Sequence, residues 1–163
     1  MNLNLNLQRI KAPELETEAW FNSSWNLSLG EFLGKPVVLH AFQMLCPGCI
    51  LHGLPQTQRL FDYFDPKEVQ ILGLHTVFEH HSAMQKNSLE AFVHEFRYKF
   101  PIGIDRVNPS GSQIPVTMER YDLKGTPSLV LIDKQGLIAK HYFGSISDLE
   151  LGSEITKLIK QDV

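Results

Sequence analysis

Apolar and polar positions follow two periods along this chain. Apolar runs of strand length occur at 37–42, 69–75, 101–105, 128–133 and 137–143, most of them bounded by Gly, Pro or Asp. The run Val37-Val38-Leu39-His40-Ala41-Phe42 has almost no polar member and reads as a parallel strand buried on both faces. Helical spacing takes over at 50–64. It returns where Leu89, Phe92, Val93 and Phe96 fall at i, i+3, i+4 and i+7, and again at 148–160, where Leu151, Ile155, Leu158 and Ile159 face inward. A shorter helix is expected over 115–121, and the polar stretch 107–113 reads as a loop.

Breakers and caps punctuate these segments. Ser28-Leu29-Gly30-Glu31 has the form of a capping box and predicts one helical turn over 29–33. Gly34-Lys35-Pro36 stops the chain before the first core strand. Pro55 predicts a kink in the helix 50–64, because a proline ring removes a backbone donor and crowds the preceding turn. Asn87-Ser88-Leu89-Glu90 opens the next helix, and Lys134-Gln135-Gly136 joins an antiparallel hairpin. Alternation on either side of Asn22-Ser23-Ser24 predicts an N-terminal edge hairpin. The order β-α-β-α-β-α-β-β-α predicts an α/β fold with a central mixed sheet and helices on both faces. No repeat or second domain is visible, so 1–163 reads as one domain, with 1–11 expected to be flexible.

Composition narrows the class. The chain has 163 residues, 43% of them apolar, which suffices for a hydrophobic core. A net charge of −3 and a pI near 6.1 argue against nucleic acid or an anionic membrane as partner. No apolar run approaches about 18 residues, so no membrane span is expected. Met1 to Gln8 alternate Asn and Leu without a basic start or apolar core, unlike a secretory leader. The expected location is the cytoplasm, or the periplasm if a leader has been removed.

Chemistry concentrates at Cys46-Pro47-Gly48-Cys49, which holds the only two cysteines in the chain. The motif lies between a buried strand and a helix. A sulfur there faces the free amides and dipole of a helix N-terminus, which favour thiolate over thiol, and a second cysteine one turn on can close a disulfide. Two inert structural cysteines are the plainer alternative. Half a zinc site is another, with His52, His80 or His81 as further ligands, but no second CxxC or finger-like His pair completes it. Neither a metal nor another cofactor is expected. Gly125-Thr126-Pro127-Ser128 opens what otherwise reads as a central strand. A proline there is unusual, because it cannot donate to the sheet ladder; either a cis peptide or an ordinary trans turn accommodates it.

A strand-CxxC-helix unit followed about 80 residues later by a Gly-Thr-Pro strand resembles the thioredoxin superfamily. The likeness covers residues 12–160. Residues 42–49, 125–133, the Lys134-Gln135-Gly136 turn and the Ala12-Pro13-Glu14-Leu15 opening are similar to thioredoxin-like proteins of the TlpA and redoxin type, as is the strand-helix insert near 69–100. The resemblance implies a thioredoxin-like fold and thiol–disulfide exchange. In that reading Cys46 attacks a substrate disulfide, Cys49 resolves the mixed disulfide, and Thr126 and Pro127 hold the substrate, with Pro47 and Gly48 beside them. The implied partners are a disulfide-bearing protein or small disulfide and an unidentified electron donor.

Several positions depart from the family pattern. His40 stands where thioredoxins bury an acid, and it reads either as a proton relay for Cys49 or as a satisfied core histidine. Glu79 lies near the place where the TlpA-like group carries a glutamate, and reads otherwise as a surface carboxylate; His75 ends the same strand. Leu45 replaces the usual tryptophan, and Pro47-Gly48 reverses the usual dipeptide. Residues 42–47 also echo a peroxiredoxin active site, with Gln43 in place of the expected Thr or Ser, so a Cys46 peroxidase is one alternative function. A non-catalytic binding module is another. Phe61, Tyr63 and Phe78 read as core or as a dimer face.

Overall fold

The structure, a computed structural model, describes residues 10–162; the expectations for Met1 to Gln8 and of flexibility over 1–9 lie outside them, whereas Lys11, also expected to be flexible, is bridged antiparallel to Leu137. Six strands form one mixed sheet: β1 (Thr17–Phe21), β2 (Val37–Phe42), β3 (Gln70–His75), β4 (Ile102–Asp105), β5 (Ser128–Ile132) and β6 (Ile138–Phe143). Their order across the sheet is β1-β4-β3-β2-β5-β6. β2, β3 and β4 run parallel, joined by crossovers that carry the helices α1 (Leu54–Tyr63) and α2 (Lys86–Glu95). β5 returns antiparallel against β2, with α3 (Val116–Arg120) before it, and β6 pairs antiparallel with β5 before α4 (Asp148–Lys160).

Side-chain alternation along the strands divides the core in two. Val38 and Phe42 of β2, Ile71 of β3, and Leu129 and Leu131 of β5 pack under α1, α2 and α4, whose Leu54, Leu89, Leu151 and Ile155 are fully buried. Val37, Leu39 and Ala41 of β2, Leu72 and Leu74 of β3, and Val130 and Ile132 of β5 face the other way. They meet Met118 of α3 and the N-terminal residues Ala12, Leu15 and Leu27. Helices and loops thus cover both faces, and every residue of β2 is buried.

The N-terminal extension supplies one strand rather than a hairpin. β1 adds antiparallel to β4, because Asn22 takes a positive φ of 57° and its amide donates to the carbonyls of Tyr98 (2.9 Å) and Phe100 (3.0 Å). These bonds turn the chain away from a second strand. The turn at Leu29–Phe32 forms as expected, with Glu31 accepting from the Ser28 amide at 2.7 Å. α2 begins one residue before Asn87, and Phe96 lies just past its end, half exposed.

The distortion expected from Pro55 takes the form of a wide π turn over Cys49–Gly53, closed by the Leu54 N–H on the Cys49 carbonyl. Pro55 then sits within the first turn of α1, where its missing N–H breaks no helical bond.

At the sheet centre, Gly73 gives β3 its close contact with the aromatic layer; a Cβ there would lie 2.9 Å from Phe100 Cε2. Gly73→Val should destabilise the protein by about 1–3 kcal/mol through overpacking, read from urea unfolding. Unchanged stability would mean that Phe100 moves aside freely.

Candidate active site

The loop from β2 to the helix is held from two sides before it reaches the cysteines. Buried Gln43 accepts from the Phe78 N–H through Oε1 (3.1 Å) and donates through Nε2 to Glu79 (3.4 Å). The Met44 N–H donates to Nε2 of buried His75 at 3.4 Å, and the Thr76 N–H to the Phe42 carbonyl at 3.0 Å. The loop after β3 thereby fixes the approach to Cys46.

Both cysteines are free thiols, Cys46 half-buried and Cys49 fully buried. The Cys49 N–H points at Cys46 Sγ from 3.3 Å, and that sulfur donates to the Thr126 carbonyl at 3.4 Å. The Thr126–Pro127 peptide is cis, and a Cβ on Gly48 would lie 3.2 Å from Pro127 Cδ. Cys46, Gly48, Thr126 and Pro127, separated by about 80 residues in sequence, are therefore in contact. Pro47 and Leu45 are exposed on the same loop. Burial pushes the Cys49 thiol up to about 12, aided by the hydrogen bond to and the charge of Cys46; bonds from Gln43 and Thr126 oppose the shift.

His40 lies beneath the π turn. Its Nδ1 is 2.8 Å from Thr57 Oγ1, and the Thr57 hydroxyl also reaches the Gly53 carbonyl at 2.8 Å. The single hydroxyl proton goes to the carbonyl, so Thr57 accepts from His40 Nδ1–H and leaves Nε2 as a bare lone pair. Nε2 is buried without a hydrogen-bond partner. The ring packs so closely on Gly53 that a Cβ there would lie 2.6 Å from Nε2. Burial lowers the pKa of both His40 and His75 to about 4, which keeps each neutral at ordinary pH.

Of the residues singled out in sequence, Cys46, Cys49, Gly48, Thr126 and Pro127 come together here. Glu79 is exposed and reaches Gln43 rather than either sulfur. His40 touches Gly53 and Thr57 and has no hydrogen bond to Cys49. Thr57 and Gly53 escaped the sequence reading; a glycine in the middle of a helical run was the available signal. Among the described residues no cluster of three or more His, Cys, Asp or Glu is arranged to hold a metal, and no helix is long and apolar enough to cross a membrane.

A family model for AhpC/TSA matches residues 9–141. The chain belongs to the AhpC/TSA family. No curated protein sequence matches it. Among solved structures, a thioredoxin-like superfamily protein is 50% identical, with a TM-score of 0.91 over 94% of this chain and 99% of the other. A thiol-disulfide isomerase from Corynebacterium glutamicum is 42% identical, with a TM-score of 0.87 over 93% and 98%. A thioredoxin-like protein solved in its oxidized form, at 19% identity and a TM-score of 0.75 over 93% and 95%, shares the fold. This AhpC/TSA protein is thus a redoxin-type member of the thioredoxin superfamily with the thioredoxin-like fold, and its similarity to thiol–disulfide oxidoreductases supports a redox enzyme class.

The buried histidines give a pH prediction. In the unfolded chain each titrates near the ordinary histidine value of 6.5, and in the fold burial lowers that to about 4. Between those values the unfolded state binds more protons, so stability is full above pH 6.5 and falls as the pH drops toward 4. The loss is at most about 3 kcal/mol per histidine, at roughly 1.36 kcal/mol per unit. Urea unfolding between pH 7 and 4.5 should show the decline, and His75→Gln should make it shallower. An equally steep decline in that variant would remove His75 from the account.

Proposed function

We propose that this protein is a thiol–disulfide oxidoreductase in which Cys46 attacks a substrate disulfide and Cys49 resolves the intermediate. The observation that carries this reading is the convergence of a half-buried Cys46 sulfur, the Cys49 amide and the Thr126–Pro127 turn. Cys46 as thiolate forms a bond to one substrate sulfur, and the other leaves with the electron pair. Cys49, once deprotonated, then attacks Cys46 Sγ and expels the second substrate thiolate, leaving a Cys46–Cys49 disulfide. Two electrons pass to the substrate, and a dithiol or other two-electron donor restores the pair.

The elevated Cys49 pKa suits this order of events. Part of the elevation comes from the hydrogen bond to and charge of Cys46. Both vanish when Cys46 enters the mixed disulfide, so Cys49 becomes easier to deprotonate only when its attack is needed. The departing substrate thiolate is one destination for the proton. His40, neutral with an unpartnered Nε2 beneath the turn that carries Cys49, is the group this reading assigns to relay the proton, passing it on rather than keeping it because burial makes the ring a weak base. A change in the pH dependence of turnover is expected for His40→Ala, and an unchanged profile removes the assignment. Thr126 and Pro127, with Gly48 against Pro127 and Pro47 exposed on the same loop, take the substrate backbone; Glu79 orients the loop through Gln43.

The AhpC/TSA match also favours a second reading, peroxide reduction at Cys46. The Gln43 side chain, at the position of the peroxide-orienting hydroxyl, is committed to Phe78 and Glu79, which weighs against it.

Cys49→Ser separates the two. With a disulfide substrate it should accumulate a Cys46 mixed disulfide, visible by mass spectrometry on non-reduced protein, while Cys46→Ser accumulates none. If no disulfide is trapped and wild-type protein consumes hydrogen peroxide with dithiothreitol as donor, the peroxidase reading replaces the exchange reading.

A further inference from the structure

Thr57 is fully buried in the first turn of α1 and is the only hydrogen-bond partner of the His40 ring among the described residues. Its hydroxyl lies 2.8 Å from His40 Nδ1 and 2.8 Å from the Gly53 carbonyl, with one proton to give. Given to the carbonyl, that proton leaves Oγ1 free to accept from Nδ1–H, and two bonds form in series. Given to Nδ1, it makes a single bond, abandons the carbonyl and moves the ring proton to Nε2, where nothing accepts it. The first arrangement makes more bonds and is the one the cluster adopts. The bond that Thr57 makes to one ring nitrogen thus dictates the state of the other.

The bare nitrogen also has somewhere to pass a proton. A Cβ on Gly53 would lie 2.6 Å from Nε2 and 3.3 Å from Pro127 Cβ, so Nε2 looks into the space between Gly53 and Pro127. His40, Gly53 and Pro127 line one cavity of about 400 Å³, shared with exposed Leu51. A proton taken up at Nε2 leaves on this side while Nδ1–H stays on Thr57. The other ionisable groups on the cavity are His52, Arg59 and Asp148; all three are exposed, and Arg59 and Asp148 pair with each other. The flanking strands place Gly73 and Leu129 beside His40, neither of them ionisable. From the turn above, Cys49 is the remaining titratable neighbour. Only Thr57 therefore sets the tautomer.

Resting on the exchange reading, we infer that Thr57 is a positioning residue for the resolving step: by accepting Nδ1–H it holds His40 in the tautomer whose Nε2 lone pair takes the Cys49 proton. The step balances. The Cys49 S–H bond breaks as its proton goes to Nε2, and the sulfur electron pair forms the bond to Cys46 Sγ. The second substrate sulfur leaves with the pair of the broken disulfide bond, and Nε2 then releases the proton to the leaving thiolate or to water. An imidazole protonated on Nε2 has no lone pair there to accept with. Valine has the shape of threonine but can neither accept from Nδ1–H nor donate to the Gly53 carbonyl, so it leaves the ring free to take the wrong tautomer.

The tautomer is read directly by heteronuclear NMR of wild-type protein carrying isotope-labelled histidine. At neutral pH His40 should be protonated on Nδ1 alone, and a proton on Nε2 overturns the inference. The chemical role is read by stopped-flow mixing with excess Ellman's reagent. One nitrothiobenzoate is released as Cys46 attacks and a second as Cys49 resolves, the second phase being independent of reagent concentration. This leaving thiol is strongly acidic, so its thiolate is a poor proton acceptor and the protein's own relay is isolated. A neutral imidazole relay makes the second phase nearly level between about pH 6 and 8, because no thiolate has to form in advance. Without the relay the rate follows the ionised fraction of Cys49 and rises about tenfold per pH unit. Wild type and Thr57→Ser should be level and agree within about twofold, whereas Thr57→Val should be about tenfold slower at neutral pH and steep. A level Thr57→Val or a steep Thr57→Ser overturns the inference. So does a steep wild type, which leaves exchange through Cys46 and Cys49 intact. No second release at all means that the exchange reading has failed, and this inference with it.

Discussion

Everything at the candidate site depends on β2 being hydrogen-bonded on both edges, parallel to β3 and antiparallel to β5. Ala41 pairs with Ser128 and Leu74, and Phe42 with His75. The C-terminal end of β2 therefore emerges beside the start of β5, where Thr126 and Pro127 lie, and beside the end of β3, where His75 and Thr76 grip the loop. A strand buried on both faces cannot slip by one residue without turning its side chains into the wrong core layer. That register is what brings Cys46 against the Thr126 carbonyl.

The second constraint is a desolvated polar cluster. His40, Thr57 and the Gly53 carbonyl satisfy each other below the surface, at the cost of one unpartnered nitrogen. The cluster also explains the local backbone. The imidazole presses on Gly53, so only a residue without a side chain fits there, and the chain passes over it in a wide turn before α1 begins. Cys49 belongs to that turn, and its thiol shares the same dry environment that keeps His40 neutral. Burial thus acts in opposite directions on the two groups, raising the acid and lowering the base.

The groove between α1 and α4 follows from packing of the helices. α1 and α4 lie side by side on one face of the sheet, where Leu60, Leu151 and Ile155 belong to the same buried core. Small residues on α4, Gly152 among them, leave the space between Tyr63 and Leu149 unfilled. Hydrogen bonds from Gln56 and Arg59 to Asp148 tie the two helices together.

Strand and helix identities were legible in the chain, because apolar periods of 2 and 3.6 and the breakers between them depend on neighbours in sequence. The CxxC at a strand-to-helix junction and the Gly-Thr-Pro before a buried strand were legible for the same reason, and with them the fold. The N-terminal hairpin was not: its alternation is real, but Asn22 found acceptors on Tyr98 and Phe100, nearly 80 residues away, and tertiary bonds overrode the local pattern. The environments of individual groups were also out of reach. The lone pair on His40, the commitment of Glu79 to Gln43 and the fit of Gly53 against an imidazole depend on distances across the fold. Local periodicity by itself determined what the elements are; only the packing of β2 between its neighbours decided which side chains meet, because desolvation and hydrogen bonding act through space and not along the chain.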